Sequence, residues 1–167
     1  MVNKISIIQN KLLKKKNLTF DEANFLVKKI LDRSIDDISL SSLLTLLYIK
    51  GETYEEIKAF SFYLKSKAKN FKIKDELMDT CGTGGDNKNS FNFSTATSIV
   101  LSSFNIKIAK HGNRSVTSKS GSFDVLEALG IKLSSKINVI KSYYEKNGIC
   151  FLFAPFYHPI LGNVSDV

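Results

Sequence analysis

The sequence predicts an α/β domain preceded by a helical subdomain, and three observations predict it. Residues 1–72 carry helix-type apolar spacing, two capping boxes and a single glycine, Gly51. From about residue 73, short strand-type apolar runs alternate with helical patterns, which indicates βαβ units and a parallel sheet. The three predicted strands lead into the chemically distinctive loops 80–86, 110–122 and 154–159. In open parallel sheets, ligands sit beyond the carboxyl ends of the strands. The expected division is a helical bundle over 1–72 and a partial α/β domain over 73–167.

The helical elements follow in order. Ile5, Ile8, Leu12 and Leu13 keep a helical spacing. Thr19-Phe20-Asp21-Glu22 reads as a capping box opening a helix with Ala23, Phe25, Leu26, Val27, Ile30 and Leu31. A third helix holds Leu40, Leu43, Leu44 and Leu47 and stops at Gly51. Thr53-Tyr54-Glu55-Glu56 repeats the capping box and starts a fourth, which ends near Lys69.

The second part is read the same way. A strand over 77–80 enters the loop Asp79-Thr80-Cys81-Gly82-Thr83-Gly84-Gly85-Asp86. A helix from about Ser94 carries Ala96, Ile99, Val100 and Phe104, and a strand over 106–109 ends at Lys110-His111-Gly112-Asn113. A short helix over 123–129 stops at Gly130, and another over 135–147 stops at Gly148. Ile149-Cys150-Phe151-Leu152-Phe153 is a continuous apolar run, as for a strand buried on both faces. Phe153 to Pro159 reads as an apolar-to-aromatic loop, equally suited to walling an aromatic substrate and to a structural turn.

Composition is that of an ordinary globular chain: 167 residues, 43% hydrophobic, 24% charged, net charge +8. The lysines are dispersed. Only Lys14-Lys15-Lys16 forms a basic run, without the interleaved aromatics of single-strand binders, so no nucleic-acid partner is expected. No apolar stretch is long enough for a membrane span. Met1-Val2-Asn3-Lys4-Ile5 lacks a secretion signal core, which makes the cytoplasm the default. Cys81 and Cys150 are far apart in sequence and suggest neither a disulfide framework nor a metal cluster.

The chemistry lies in the loops. So dense a glycine cluster serves a backbone that turns sharply against a ligand. Asn87 excludes the dinucleotide fingerprint, and no Gly-Lys-Ser/Thr supports a Walker loop. Asp86 could bind a ribose hydroxyl or cap its own loop. Asn92, Ser94 and Thr95 place donors at a helix start, the geometry of a phosphate site as well as of ordinary capping. The Ser94 hydroxyl could also be a weak magnesium ligand. Lys110, Arg114 and their neighbours His111, Gly112, Asn113 and Ser115 suit phosphate oxygens. Ser122 is either an N-cap or a further phosphate donor. The sequence shows no Ser-His-Asp order or Gly-X-Ser-X-Gly elbow that would assign His111 a general-base role. The ligand indicated is a phosphorylated small molecule.

Five motifs occur in order: Asp79 to Asp86, Phe91-Asn92-Phe93-Ser94-Thr95, Lys110 to Val116, Lys119 to Gly130, and Phe153-Ala154-Pro155 with His158-Pro159. Together they closely resemble anthranilate phosphoribosyltransferases of tryptophan biosynthesis, over about residues 75–162. The resemblance implies a nucleoside phosphorylase/phosphoribosyltransferase-like fold. It also implies transfer of phosphoribose from 5-phosphoribosyl diphosphate to the amine of anthranilate, with Mg2+. Gly82, Gly85, Asp86 and Ser90 would line the donor. Asn92, Phe93, Ser94 and Thr95 would hold its diphosphate, with Ser94 also touching the metal. Lys110, His111, Gly112, Asn113, Arg114, Ser115, Ser118 and Ser122 would meet phosphates, and Asn113 with Gly82 would meet anthranilate. A homodimer through the helical subdomain is expected. Asn87 and Ser90 depart from the family's commoner residues. Family members are about double this length, and they carry an arginine and an adjacent Asp-Glu metal pair beyond this stretch. After Thr95 the acidic residues are Asp124, Glu127, Glu145 and Asp166, none adjacent. The expectation is therefore a truncated segment, nearly inactive alone. The alternatives are a non-catalytic phosphosugar-binding remnant and a pyrimidine nucleoside phosphorylase relative; the Lys110–Arg114 pattern argues against the latter.

Overall fold

The computed structural model describes residues 4–70, 72–82, 91–115 and 120–165. It divides into two compact units, Met1–Ala68 with His158–Val167, and Lys69–Tyr157.

The first unit contains α1 (Lys4–Leu13), α2 (Phe20–Leu31), α3 (Asp37–Lys50) and α4 (Tyr54–Lys67). Their apolar stripes meet in one core built on Ile8, Leu12, Leu26, Val27, Leu40, Leu43 and Ala59, among others. The Thr19 capping box forms as expected: the Glu22 amide donates to Thr19 Oγ1 at 3.3 Å, and the Thr19 amide donates to Glu22 Oε2 at 2.9 Å. At α4 the glutamate has a larger task. Glu56, 1% exposed, accepts from the Thr53 amide (2.7 Å), the Leu18 amide (2.8 Å) and the Lys50 ammonium (2.8 Å). It ties the α1–α2 link, the end of α3 and the start of α4 together. Burial pushes its carboxyl up, but these donors outweigh that and hold it below the usual carboxylate value. A 3-10 helix, Pro159–Val164, belongs to this unit. Ile160 and Val164 pack on the core, and Asn163 Nδ2 donates to the Leu31 carbonyl at 2.9 Å. A change of texture near residue 73 cannot show such a return.

The second unit holds α5 (Phe93–Ser103), β1 (Ile108–Gly112), α6 (Ser122–Ala128), α7 (Ile137–Asn147), β2 (Ile149–Phe153) and the short α8 (Ala154–Tyr157). β1 and β2 pair in parallel, with Ile108 opposite Ile149 and Gly112 opposite Phe153. One apolar cluster gathers Ile140, Tyr144, Cys150 and Tyr157; another gathers Phe123, Leu126 and Phe153. The helix stops at Gly51, Gly130 and Gly148 all have positive φ, 81°, 84° and 67°. Among the described residues, no helix is long and apolar enough to cross a membrane.

Three details correct the sequence reading. The strand expected over 77–80 is reduced to a single parallel bridge, Met78 to Ile108. The Ala109 amide still donates to the Met78 carbonyl, but the His111 amide donates to Asp79 Oδ1 instead of a ladder carbonyl. A side chain has taken the next rung. The strand expected over 106–109 is displaced toward the carboxyl end. Asn105, at φ 63°, closes α5 by directing the Ile106 amide onto the Leu101 carbonyl. β1 then continues to Gly112, so Lys110 and His111 are strand residues. Finally, residues 154–157 form a helical turn where a loop was expected.

Candidate functional site

Three segments of the α/β unit converge: the stretch 78–82, the amino end of α5, and the turn between β1 and α6. Thr80 joins the first two. Its hydroxyl donates to the Ser94 carbonyl at 2.7 Å and lies 2.6 Å from Ser98 Oγ. Asn92 joins the second and third. It occupies the N-cap of α5 without making a cap bond. Its Nδ2 instead donates to the carbonyls of Ser120 (3.3 Å) and Gly121 (3.5 Å). The first turn of α5 therefore keeps its positive dipole end without a side-chain cap from Asn92. Thr95, 2% exposed on that turn, has a buried hydroxyl with no hydrogen-bond partner among the described residues. Ser94 beside it is half-buried.

The β1–α6 turn is held by its own residues. Asp124 Oδ2 accepts from the Gly121 amide (2.7 Å) and the Ser115 amide (2.9 Å), closing the neck of the loop. Those two amide donors hold the Asp124 carboxyl below its ordinary value. Ser122 Oγ and the Phe123 amide both donate to the Asn113 carbonyl. The closure demands glycine twice. A Cβ on Gly121 would run into the backbone of Arg114 and Ser115, and one on Gly112 into Ser122 and Phe123.

The cations differ from one another. Lys110 is 1% exposed, and its ammonium donates to the His111 carbonyl at 2.7 Å. No carboxylate pairs with it among the described residues. Arg114 forms a two-pronged pair with Glu127, at 3.0 and 2.8 Å, and lies over the Phe153 ring. That pairing raises the arginine and lowers the glutamate in pKa. Arg114 thus braces the turn, whereas Lys110 remains a buried charge with one neutral acceptor.

Gly82, Asn92, Phe93, Ser94, Thr95, Asn113, Arg114, Ser115 and Ser122 fall in or at the converging segments, whereas Lys110, His111 and Gly112 form the end of β1 that leads into the turn. Gly85, Asp86, Ser90 and Ser118 lie outside the described residues. Sequence reasoning missed Asp79, Thr80, Asp124 and Glu127, which position the others. Asp124, at the third position of α6, carried the one usable signal, since an acid there commonly receives a helix-start amide. For a magnesium ion, the hard oxygens offered here are the Ser94 and Thr95 hydroxyls and the exposed Asp79 carboxylate. Asp124 and Glu127 are already engaged in holding the turn. So few fixed oxygens fit an ion that takes most of its ligands from water or from a bound anion.

Comparison with known proteins follows this geometry. Residues 74–167 match the model described as glycosyl transferase family, a/b domain, and residues 6–67 match glycosyl transferase family, helical bundle domain. The chain is 44% identical over 150 residues to the anthranilate phosphoribosyltransferase of Geobacillus thermodenitrificans, covering 90% of this chain and 44% of that one. It is 46% identical over 155 residues to that of Caldicellulosiruptor saccharolyticus, covering 92% and 46%. Among solved structures, anthranilate phosphoribosyltransferase from Thermus thermophilus superposes with a TM-score of 0.82 at 31% identity, over 95% of this chain and 49% of that one. The Saccharomyces cerevisiae enzyme in complex with PRPP and Mg gives 0.82 at 27%, over 97% and 49%. The chain spans about half the length of the curated relatives it matches.

Proposed function

The chain belongs to the glycosyl transferase family, and on that premise we propose that its α/β unit supplies the donor side of an anthranilate phosphoribosyltransferase site. The observation that carries this reading is Asn92. By giving its side chain to the Ser120 and Gly121 carbonyls, it brings a helix start that it leaves without a side-chain cap together with the closed β1–α6 turn. Two anion-binding devices side by side suit a donor with a phosphate at one end and a diphosphate at the other. The buried Lys110 ammonium supports the same reading, since a bound phosphate would supply the negative charge it lacks.

The roles follow. Gly82 with Gly85, Asp86 and Ser90 lines the donor; Asn92, Phe93, Ser94 and Thr95 receive its diphosphate. Lys110, with the turn through Ser118 and Ser122, meets phosphate oxygens, and Asn113 with Gly82 faces anthranilate. In the reaction the anthranilate nitrogen bonds to the anomeric carbon as the carbon–oxygen bond to diphosphate breaks, and the amine gives up a proton. Negative charge grows on the departing diphosphate, where amide and hydroxyl donors at the start of α5 stabilise it. Orientation of the amine against the anomeric carbon supplies much of the remainder. Magnesium, when bound, neutralises part of the diphosphate charge, with Ser94 as its ligand from this chain. The yeast relative's complex with PRPP and Mg supports magnesium as the accompanying ion. No adjacent acidic pair follows Thr95, so the 167 residues alone bind donor but turn over slowly. A cytoplasmic homodimer, paired through the helical unit, completes the reading.

Calorimetric titration of the chain with 5-phosphoribosyl diphosphate, with and without Mg2+, tests it. Micromolar binding strengthened by magnesium is expected, with anthranilate turnover well below that of a complete enzyme. Absence of donor binding overturns the reading, as does phosphate-dependent cleavage of a pyrimidine nucleoside.

A further inference from the structure

Cys81 lies thirty residues from His111 in sequence, and Cys150 lies farther still, so cysteine spacing gives no hint of a metal site. The fold changes that. The Met78–Ile108 bridge lays the stretch after Met78 beside β1, and Asp79 Oδ1 fastens it there by accepting from the amides of Cys81 (3.0 Å) and His111 (3.2 Å). A carboxylate oxygen of Asp79, the thiol of Cys81 and a ring nitrogen of His111 consequently lie within 4.8 Å of one another.

We infer that Asp79, Cys81 and His111 form a binding site for a borderline or soft divalent cation of the Zn2+ or Cd2+ kind. The donor set decides the class. Thiolate and imidazole select zinc-like ions, whereas magnesium takes hard oxygens and keeps its waters. One thiolate and one carboxylate neutralise a divalent charge, and the imidazole adds a third, uncharged ligand. Tetrahedral zinc asks its ligand atoms to stand about 3.3–3.8 Å apart. Cys81 is exposed and its thiol donates to the Gly82 carbonyl at 3.2 Å, so a small rotation of that side chain closes the difference while the Asp79 bonds keep the backbone in place. Binding exchanges the thiol proton for the metal: the S–H bond breaks, a sulfur–metal bond forms, and the proton passes to solvent. A water completes the fourth position. The site borders the proposed donor site, since Thr80 between two of its ligands is bonded to the Ser94 carbonyl, but the metal is read from its own three donors and its test uses no phosphoribosyl donor.

The test uses the full chain and the metals alone. Added Cd2+ is expected to produce a thiolate-to-metal charge-transfer band with one-to-one stoichiometry, retained in Cys150→Ser and absent in Cys81→Ser. Asp79→Asn and His111→Gln are each expected to weaken Zn2+ binding by roughly tenfold or more. In the unmutated protein, Zn2+ but not Mg2+ is expected to protect Cys81 from alkylation by iodoacetamide, read by peptide mass spectrometry; this needs no variant to fold. Unchanged alkylation of Cys81 under saturating Zn2+, a charge-transfer band that survives Cys81→Ser, or unaltered affinity in both ligand variants overturns the inference.

Discussion

Each unit of the molecule holds a charged residue only 1% exposed, Glu56 in one and Lys110 in the other, and the two are treated in opposite ways. Glu56 in the helical unit meets an ammonium, two amides and the Thr53 hydroxyl. Lys110 in the α/β unit meets one backbone carbonyl among the described residues. A lysine ammonium has three donors to place, and burying a charge without its counter-charge is costly. The helical unit therefore spends its buried charge on joining its own helices. The α/β unit keeps its charge in reserve for something brought from outside. The lesson is that burial alone does not mark function; burial without compensation does.

The sharpest way to break this comparison is to remove each charge. Glu56→Ala leaves the Lys50 ammonium buried without its counter-charge and the Leu18 and Thr53 amides without their acceptor, and is expected to cost about 3–5 kcal/mol in the helical unit's denaturant transition. Lys110→Met is expected to leave stability unchanged or raise it, while lowering affinity for 5-phosphoribosyl diphosphate by roughly tenfold or more, a loss of about 1.4 kcal/mol in binding. If Lys110→Met instead unfolds the protein, the two charges are alike and the contrast fails.

Gly121→Ala sharpens the comparison at the loop. A methyl group there displaces the Arg114–Ser115 backbone, at a cost of about 1–3 kcal/mol. Because the neck of the turn opens, donor affinity is expected to fall further than thermal stability suggests. Calorimetric titration beside thermal unfolding separates the two effects.

The helical unit was largely legible because its determinants are local. A threonine three residues before a glutamate carries its own cap, and the apolar spacing around Leu26 and Leu43 can be read within one helix. β2 was legible as an uninterrupted apolar run. The α/β site was legible in its motifs but not in its supports. Asp79 takes a rung from the sheet, and Asp124 holds an amide nine residues back in the chain. Neither act follows from residue type or nearby spacing, because each depends on which strand lies alongside. Lys110 reads as a phosphate partner in the loop after the strand, and nothing near it in sequence marks it as buried, for the same reason. Only the displaced strand, set by Asn105 closing α5, carries it inside.

The smallest effects concern the exposed supports of the turn. Arg114→Ala and Glu127→Ala are expected to shift the unfolding midpoint little, since a solvated pair holds little energy. Asp124 sets the pH dependence. Its carboxyl is depressed in the folded state by the Ser115 and Gly121 amides. Its contribution is therefore complete above the ordinary aspartate value of about 3.9 and lost as pH falls through the depressed folded value. Amide shifts of Ser115 and Gly121 are expected to titrate together below that point and to stay level from pH 5 to 8. A transition near neutrality would point to another group.

Central to all of this is that the α5 start and the β1–α6 turn act on one anionic ligand. Amide-resolved NMR of the chain during titration with 5-phosphoribosyl diphosphate and Mg2+ tests that directly. The account predicts that Asn92–Thr95 and Gly112–Ser115 shift in concert, with one dissociation constant, while the helical unit stays still. Shifts confined to one of the two segments, or spread over surface lysines with no saturation, would contradict it.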